Sequence, residues 1–153
     1  MKIAIGADHG GYKIKEFLAK YLKKKGHAVK DFGTYSLESC DYPVFSYEVA
    51  REVAKGAAKR GILICKTGIG SAIAANKVKG ARAAVCNSML AAQMSRRHND
   101  ANILVFGSRF VSVSKAAKIA GVWLKTEFEG GRHKRRVDEI KDIENGKIKK
   151  IRS

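Results

Sequence analysis

The segment Gly61-Ile62-Leu63-Ile64-Cys65 constrains this chain more than any other stretch. Five consecutive residues with no charge and no polar alternation do not suit a strand with one face in water. They suit a central parallel strand covered by helices on both faces. Such a strand needs neighbours, and the rest of the sequence supplies them. Ile3 to Gly6 is a short apolar strand that ends in the polar turn Asp8-His9-Gly10-Gly11. From Tyr12 the period changes: Ile14, Phe17, Leu18, Tyr21 and Leu22 recur at three and four and share a helical face, with lysines on the opposite face. Gly26 ends that helix.

Ala28 to Phe32 reads as a second strand. Pro43 suits the first turn of a second helix that buries Phe45, Val49 and Val53. After the Gly61–Cys65 strand comes a glycine-containing loop and a short helix through Ala75. Arg82 to Val85 and Asn102 to Phe106 read as strands four and five, separated by a helix over Ser88 to His98. A long helix follows over Ser112 to Glu127, where Trp123, like Phe128 beyond it, reads as core or interface. A last helix covers about 132–145, and the residues from Lys147 onward are expected to fray. Strand and helix alternate throughout, so the expected architecture is one doubly wound α/β domain spanning residues 1–153. Ligands of such folds bind beyond the carboxyl ends of the strands. That rule directs attention to Asp8–Gly11, to Cys65–Gly70 and to the helix end at His98.

Composition narrows the function classes. In 153 residues, 45% hydrophobic and 29% charged, there is core enough for an ordinary globular domain. Three cysteines, Cys40, Cys65 and Cys86, are too few and too scattered for a disulfide framework. Met1 to Gly6 reads as a strand and turn rather than an export signal, and no apolar run reaches membrane length. The expected location is the cytosol, with no membrane partner. The 31 Lys and Arg against 14 Asp and Glu give a net charge of +17, which attracts anions. A helix-turn-helix, a zinc finger and an aromatic–basic stacking platform are all missing, so no specific nucleic-acid partner is expected.

Cys65-Lys66-Thr67-Gly68-Ile69-Gly70 joins the buried strand to a helix. Its glycines let several amides converge on an anion, although a plain tight turn would use the same residues. It lacks the terminal Gly-Lys-Ser/Thr of a triphosphate loop, and a dinucleotide fingerprint belongs on the first strand. Cys65, last on its strand, is either a base facing those amides or an apolar core residue, as Cys86 is expected to be. His98 could move protons near neutral pH. His9 beside Asp8 suits a phosphate or a sugar hydroxyl. Arg132 and Arg136 share a helix face, either as a pair of forks for phosphate or as a solvated basic surface. Arg109 is a third candidate. The His, Cys and Asp spacings match no zinc signature, so neither a metal nor another cofactor is expected.

Asp8-His9-Gly10-Gly11, the Cys65–Gly70 loop with Ile73-Ala74-Ala75-Asn76-Lys77, Ser95 to Asp100, Gly107-Ser108-Arg109 and Gly130-Gly131-Arg132-His133 occur in one order along the chain. Taken together they resemble the B-type ribose-5-phosphate isomerases, within a wider family that includes galactose-6-phosphate and allose-6-phosphate enzymes. The resemblance runs from Met1 to about Glu144. It implies a three-layer, Rossmann-like α/β/α sandwich with a parallel sheet in the order 2-1-3-5-4. It also implies a homodimer whose active sites are shared between subunits, some members pairing further into tetramers.

The activity implied is cofactor-independent interconversion of D-ribose 5-phosphate and D-ribulose 5-phosphate through a cis-enediolate. Cys65 matches the proton-transferring base, and the amides of Lys66, Thr67, Gly68, Ile69 and Gly70 match the hole for the developing oxyanion. His98 matches the residue that opens the furanose ring, with Asp8 and Thr67 as hydroxyl partners and Asn99 on the sugar. His9, Arg109, Arg132 and Arg136 match the phosphate-binding set. A six-carbon sugar phosphate is the nearest alternative substrate, and a non-catalytic phosphosugar-binding protein the alternative of a different class. One departure stands out: members usually carry glycine after the cysteine, and here the residue is Lys66. A positive φ there would strain a lysine by about 1 kcal/mol. The expectation is a working enzyme with Lys66 pointing away from C1 and C2.

Overall fold

The structure, a computed structural model, describes residues 1–147; of the stretch expected to fray from Lys147 onward, Lys147 is described, its amide donating to the Asp142 carbonyl at 2.8 Å, and 148–153 lie outside the described residues. Five strands and six helices alternate: β1 (Lys2–Ala7), α1 (Tyr12–Lys24), β2 (Ala28–Asp31), α2 (Tyr42–Ala54), β3 (Arg60–Cys65), α3 (Ile69–Ala75), β4 (Ala83–Val85), α4 (Met89–Asn99), β5 (Ile103–Gly107), α5 (Val113–Lys125) and α6 (Gly131–Glu144). The strands form one parallel sheet in the order β2-β1-β3-β5-β4. This is the three-layer sandwich and strand order that the resemblance implied.

β3 lies at the centre, paired with β1 on one side and β5 on the other. Alternation across the pleat then sorts side chains between two cores. Ile3, Ile5, Ile62, Ile64, Leu104 and Phe106 face Leu18 and Leu22 of α1 and Ile119 and Trp123 of α5. Ala4, Leu63, Ile103 and Val105 face Val49 and Val53 of α2 and Ala72 and Ala75 of α3. α6 packs outside the sheet, against α4.

Two expectations need correction. Lys15 does not sit on a solvated lysine face: its side chain is fully buried and its ammonium reaches Asp31 at 2.5 Å and Glu16 at 2.8 Å, over the Tyr12 and Tyr35 rings. Phe17, assigned to the buried face, is 41% exposed and stacks on Tyr21 instead. The periodicity located the stripe, but Asp31 on β2, with Glu16 beside it on α1, draws one lysine inward.

The helix end at His98 is a third correction. A helix following a parallel strand runs back toward the amino edge of the sheet. α4 therefore ends where β5 begins: the Ala101 amide donates to the Ser95 carbonyl, and the Gly61 amide at the start of β3 donates to the Asn102 carbonyl. His98 lies at the amino edge, not with the two loops at the carboxyl edge.

Candidate active site

At the carboxyl edge the loops after β1, β3 and β5 are tied to one another. The Asp8 amide donates to the Ile64 carbonyl, the Ser108 amide to Cys65 at 2.9 Å and the Arg109 amide to Lys66 at 3.1 Å. The Asp8 carboxylate turns back to accept from the Gly11 amide at 3.0 Å. Close packing dictates the glycines here. A Cβ on Gly11 would lie 2.4 Å from the Ile64 carbonyl oxygen, and one on Gly107 would lie 2.5 Å from that of Thr67. Gly68, with φ +82, makes the left-handed turn into α3.

Cys65 is buried at the end of β3, and its Sγ accepts a 3.1 Å hydrogen bond from the Gly68 amide. Thr67 turns its Oγ1 onto the Ile69 amide. Cys86, by contrast, sits in the core, where burial pushes its thiol above the ordinary value. The His9 Nδ1 accepts from the Cys40 amide at 3.2 Å, which puts the proton of a neutral ring on Nε2 as an outward donor. A cleft of about 510 Å³ opens beside His9, Gly10 and Ser108. Asp8, His9, Cys65 to Gly70 and Arg109 thus gather at one edge of the sheet.

Lys66 does not have a left-handed backbone; Asp100, with φ +46, is the one non-glycine residue among the described residues that does. The conditional strain penalty at Lys66 therefore does not arise. Its exposed side chain runs across Gly10, where an added Cβ would meet Lys66 Cγ at 2.6 Å. The Ser71 and Ala72 positions that follow are both buried.

His98, Asn99, Arg132 and Arg136 form a second group, on the last turn of α4 and the first turns of α6. Arg132 and Arg136 are exposed, one turn apart. The His98 ring stacks on that of His133, with centroids 4.2 Å apart and planes within 9°. Burial is the main cause that holds His133 below the ordinary imidazole value, aided by the charges of His98 and Arg132, while Glu129 opposes them. The backbone beneath is fixed by Arg96, whose buried guanidinium reaches the Asp100 carboxylate and the Ala101 carbonyl, both at 2.7 Å.

The register sets the distance between the groups. Gly61 pairs with Ile103 and Cys65 with Gly107, so the amino and carboxyl edges are separated by about 13 Å of strand. Within one chain, Cys65 and His98 are at opposite ends of the sheet. Sequence reasoning did not single out Tyr42, whose ring packs against Gly70, or Asn87, whose Oδ1 accepts from the Gly107 amide. Tyr42 had a signal, its place before Pro43 at a helix start; Asn87 had none.

Fold and site together define a doubly wound α/β protein with a buried cysteine and a glycine turn at the carboxyl edge of its parallel sheet. Comparison with known proteins makes the class specific. The profile of the Ribose/Galactose Isomerase family matches residues 3–140, and the chain belongs to that family. It is 49% identical to ribose-5-phosphate isomerase B of Escherichia coli over 94% of this chain and 96% of the relative. Among solved structures, ribose-5-phosphate isomerase B of Clostridium thermocellum superposes with a TM-score of 0.94 at 55% identity, covering 95% of this chain and 99% of that one. The enzyme of Mycoplasma genitalium, solved with bound ribulose-5-phosphate, gives a TM-score of 0.91 at 44% identity, covering 94% and 96%.

Proposed function

We propose that this protein interconverts D-ribose 5-phosphate and D-ribulose 5-phosphate. The observation that carries the reading is Cys65 itself: the sulfur closes a central strand and meets the Gly68 amide at 3.1 Å. In the open-chain aldose the Cys65 thiolate takes the proton from C2. The C–H electron pair forms the C1–C2 double bond, and the carbonyl electrons move to O1. The cis-enediolate is held by the amides of Lys66 to Gly70. The thiol then returns its proton to C1, the C1–C2 double-bond pair forming that C–H bond, while the C2 hydroxyl proton passes to O1, which leaves a carbonyl at C2 and a hydroxyl at C1. Neither electrons nor a metal enter the balance.

His98 opens the furanose ring as acid and base, Asp8 and Thr67 hold sugar hydroxyls, and Asn99 contacts the sugar. His9, Arg109, Arg132 and Arg136 bind the phosphate. Lys66, running over Gly10, points away from C1 and C2. The separation of Cys65 from His98 along the strands favours a homodimer in which each site takes Cys65 from one chain and His98, Asn99, Arg132 and Arg136 from the other. The whole chain works as one domain, and its place of work is the cytosol; among the described residues no helix is long and apolar enough to cross a membrane.

The test is formation of D-ribulose 5-phosphate from D-ribose 5-phosphate without added metal, in the parent and in Cys65→Ala. Turnover that vanishes in the variant supports the reaction and the base together. Turnover that persists in the variant removes Cys65 from the mechanism. Absence of turnover in the parent brings forward the six-carbon sugar phosphates and the binding-protein reading.

A further inference from the structure

Two imidazoles and one carboxylate converge where α4, the connection between α5 and α6, and α6 meet. The Glu129 amide donates to the Arg97 carbonyl at 3.0 Å, which anchors the acid beside the last turn of α4. Its Oε1 is taken by the Arg97 guanidinium. The other oxygen, Oε2, lies 3.5 Å from His133 Nε2 and 3.8 Å from His98 Nε2. All three ligand atoms fall within 4.8 Å of one another. Both nitrogens are farther from the oxygen than a hydrogen bond permits, so neither contact is a made bond.

The spacing resembles that of ligands around a small ion. With bonds of 2.0–2.2 Å, neighbouring ligand atoms in a tetrahedral zinc site stand about 3.4 Å apart. The two nitrogen–oxygen separations differ from this by a few tenths of an ångström. The imidazoles are stacked rather than convergent, so binding needs a tilt of one ring. His133 is 9% exposed and His98 39%, so the tilt falls to the more exposed His98 ring. Arg97 on Oε1 orients the carboxylate from outside, the usual role of a second partner on a metal-binding acid.

We propose that His98, Glu129 and His133 bind a divalent transition-metal ion of the zinc type, leaving a fourth position for water. Rested on the isomerase reading, the site is inhibitory: His98 Nε2 cannot hold the ion and move a proton for ring opening at once. Oxygen-preferring ions such as magnesium are poorly served by two imidazoles. The nearby Arg132 and Arg136 weaken binding without removing a ligand.

Calorimetric titration of the full chain with zinc, alongside cobalt followed by its visible d–d absorption, tests the site without reference to turnover. One ion per chain, removable by EDTA, is expected, with cobalt giving the intense bands of a tetrahedral site. His133→Ala and Glu129→Gln, each checked for native circular dichroism, should weaken zinc at least tenfold. Cys65→Ala, which removes a competing thiol, should not. No zinc uptake by the parent, equal affinity in both ligand variants, or loss of binding in Cys65→Ala would overturn the proposal. In the parent, zinc should lower ribose 5-phosphate turnover and EDTA should restore it. A parent that binds zinc through these residues but never turns over keeps the site and sinks the isomerase reading instead. A parent that turns over equally with the site full retains the metal but overturns inhibition.

Discussion

The Gly68 amide points at the sulfur of Cys65, donating across 3.1 Å at the end of the central strand. In the proposed mechanism that amide faces the atom that takes the proton from C2, so the turn into α3 fixes where the sulfur sits. Cys65→Ser tests this. A hydroxyl keeps an acceptor for Gly68 but is far too weak a base at neutral pH. Isomerisation should fall by about 10²–10⁴-fold with the fold intact, the range a positioned acid–base group contributes. Serine at near-parental rate would mean that the sulfur is not the base.

Gly11 is a packing requirement with a consequence for the site. A Cβ there would meet the Ile64 carbonyl oxygen at 2.4 Å and Ile64 Cβ at 2.7 Å, both rigid parts of β3. Gly11→Ala should therefore destabilise the protein by about 1–3 kcal/mol, the cost of overpacking. The strain also displaces the turn that holds the Asp8 carboxylate, so KM for the sugar phosphate should rise. Urea denaturation and steady-state kinetics on the variant measure the two effects.

The strand–helix alternation and the buried β3 were legible because period and burial are local properties of a sequence. Cys65, His9 and Arg109 were legible as candidates because the first closes a strand and the other two fall just past one. Lys15 was not: nothing on α1 announces that Asp31, sixteen residues away, pulls its ammonium under two tyrosine rings. The placement of His98 was misjudged for a geometric reason, since the direction of a helix relative to the sheet decides which edge its end reaches. The His98–Glu129–His133 cluster was invisible because His98 on α4 meets Glu129, in the connection after α5, and His133, on α6, only through tertiary packing.

Glu52 on α2 receives Lys55 at 2.6 Å and Lys30 at 3.0 Å, and their hydrogen bonds, that of Lys55 foremost, hold its carboxyl below its ordinary 4.5. In the window below 4.5 the unfolded chain binds the proton more readily than the folded one. The stability from this group is thus complete above 4.5 and is lost as pH falls through the lowered folded value. Glu52→Gln should flatten that acid limb of a stability–pH curve. An unchanged slope would show that the exposed lysines are screened into irrelevance.

Arg96 fixes the end of α4 from beneath. Its buried guanidinium satisfies the Asp100 carboxylate and the carbonyls of Ala101 and Thr126. Arg96→Met fills the space but leaves those acceptors unpaired, so stability should fall by about 3 kcal/mol. Because Asp100 holds a left-handed turn next to Asn99, the same variant should lose turnover even where it remains folded. Full activity at native-like circular dichroism would separate the network from the placement of His98 and Asn99.

A site divided between chains makes a quantitative prediction that no single-chain site can match. Cys65 and His98 stand at opposite edges of one sheet, separated by the length of β5. Let Cys65→Ala and His98→Ala each be inactive alone. After unfolding together and reassembly, random pairing makes half the dimers mixed. In a mixed dimer one site carries both substitutions, and the other joins Cys65 of the His98→Ala chain to His98 of the Cys65→Ala chain. Activity should return to about a quarter of the parental value per chain, following the symmetry of a twofold assembly. Sites complete within one chain would give none on mixing. Recovery in the mixture, with neither variant recovering when refolded alone, therefore decides between a shared site and two separate ones.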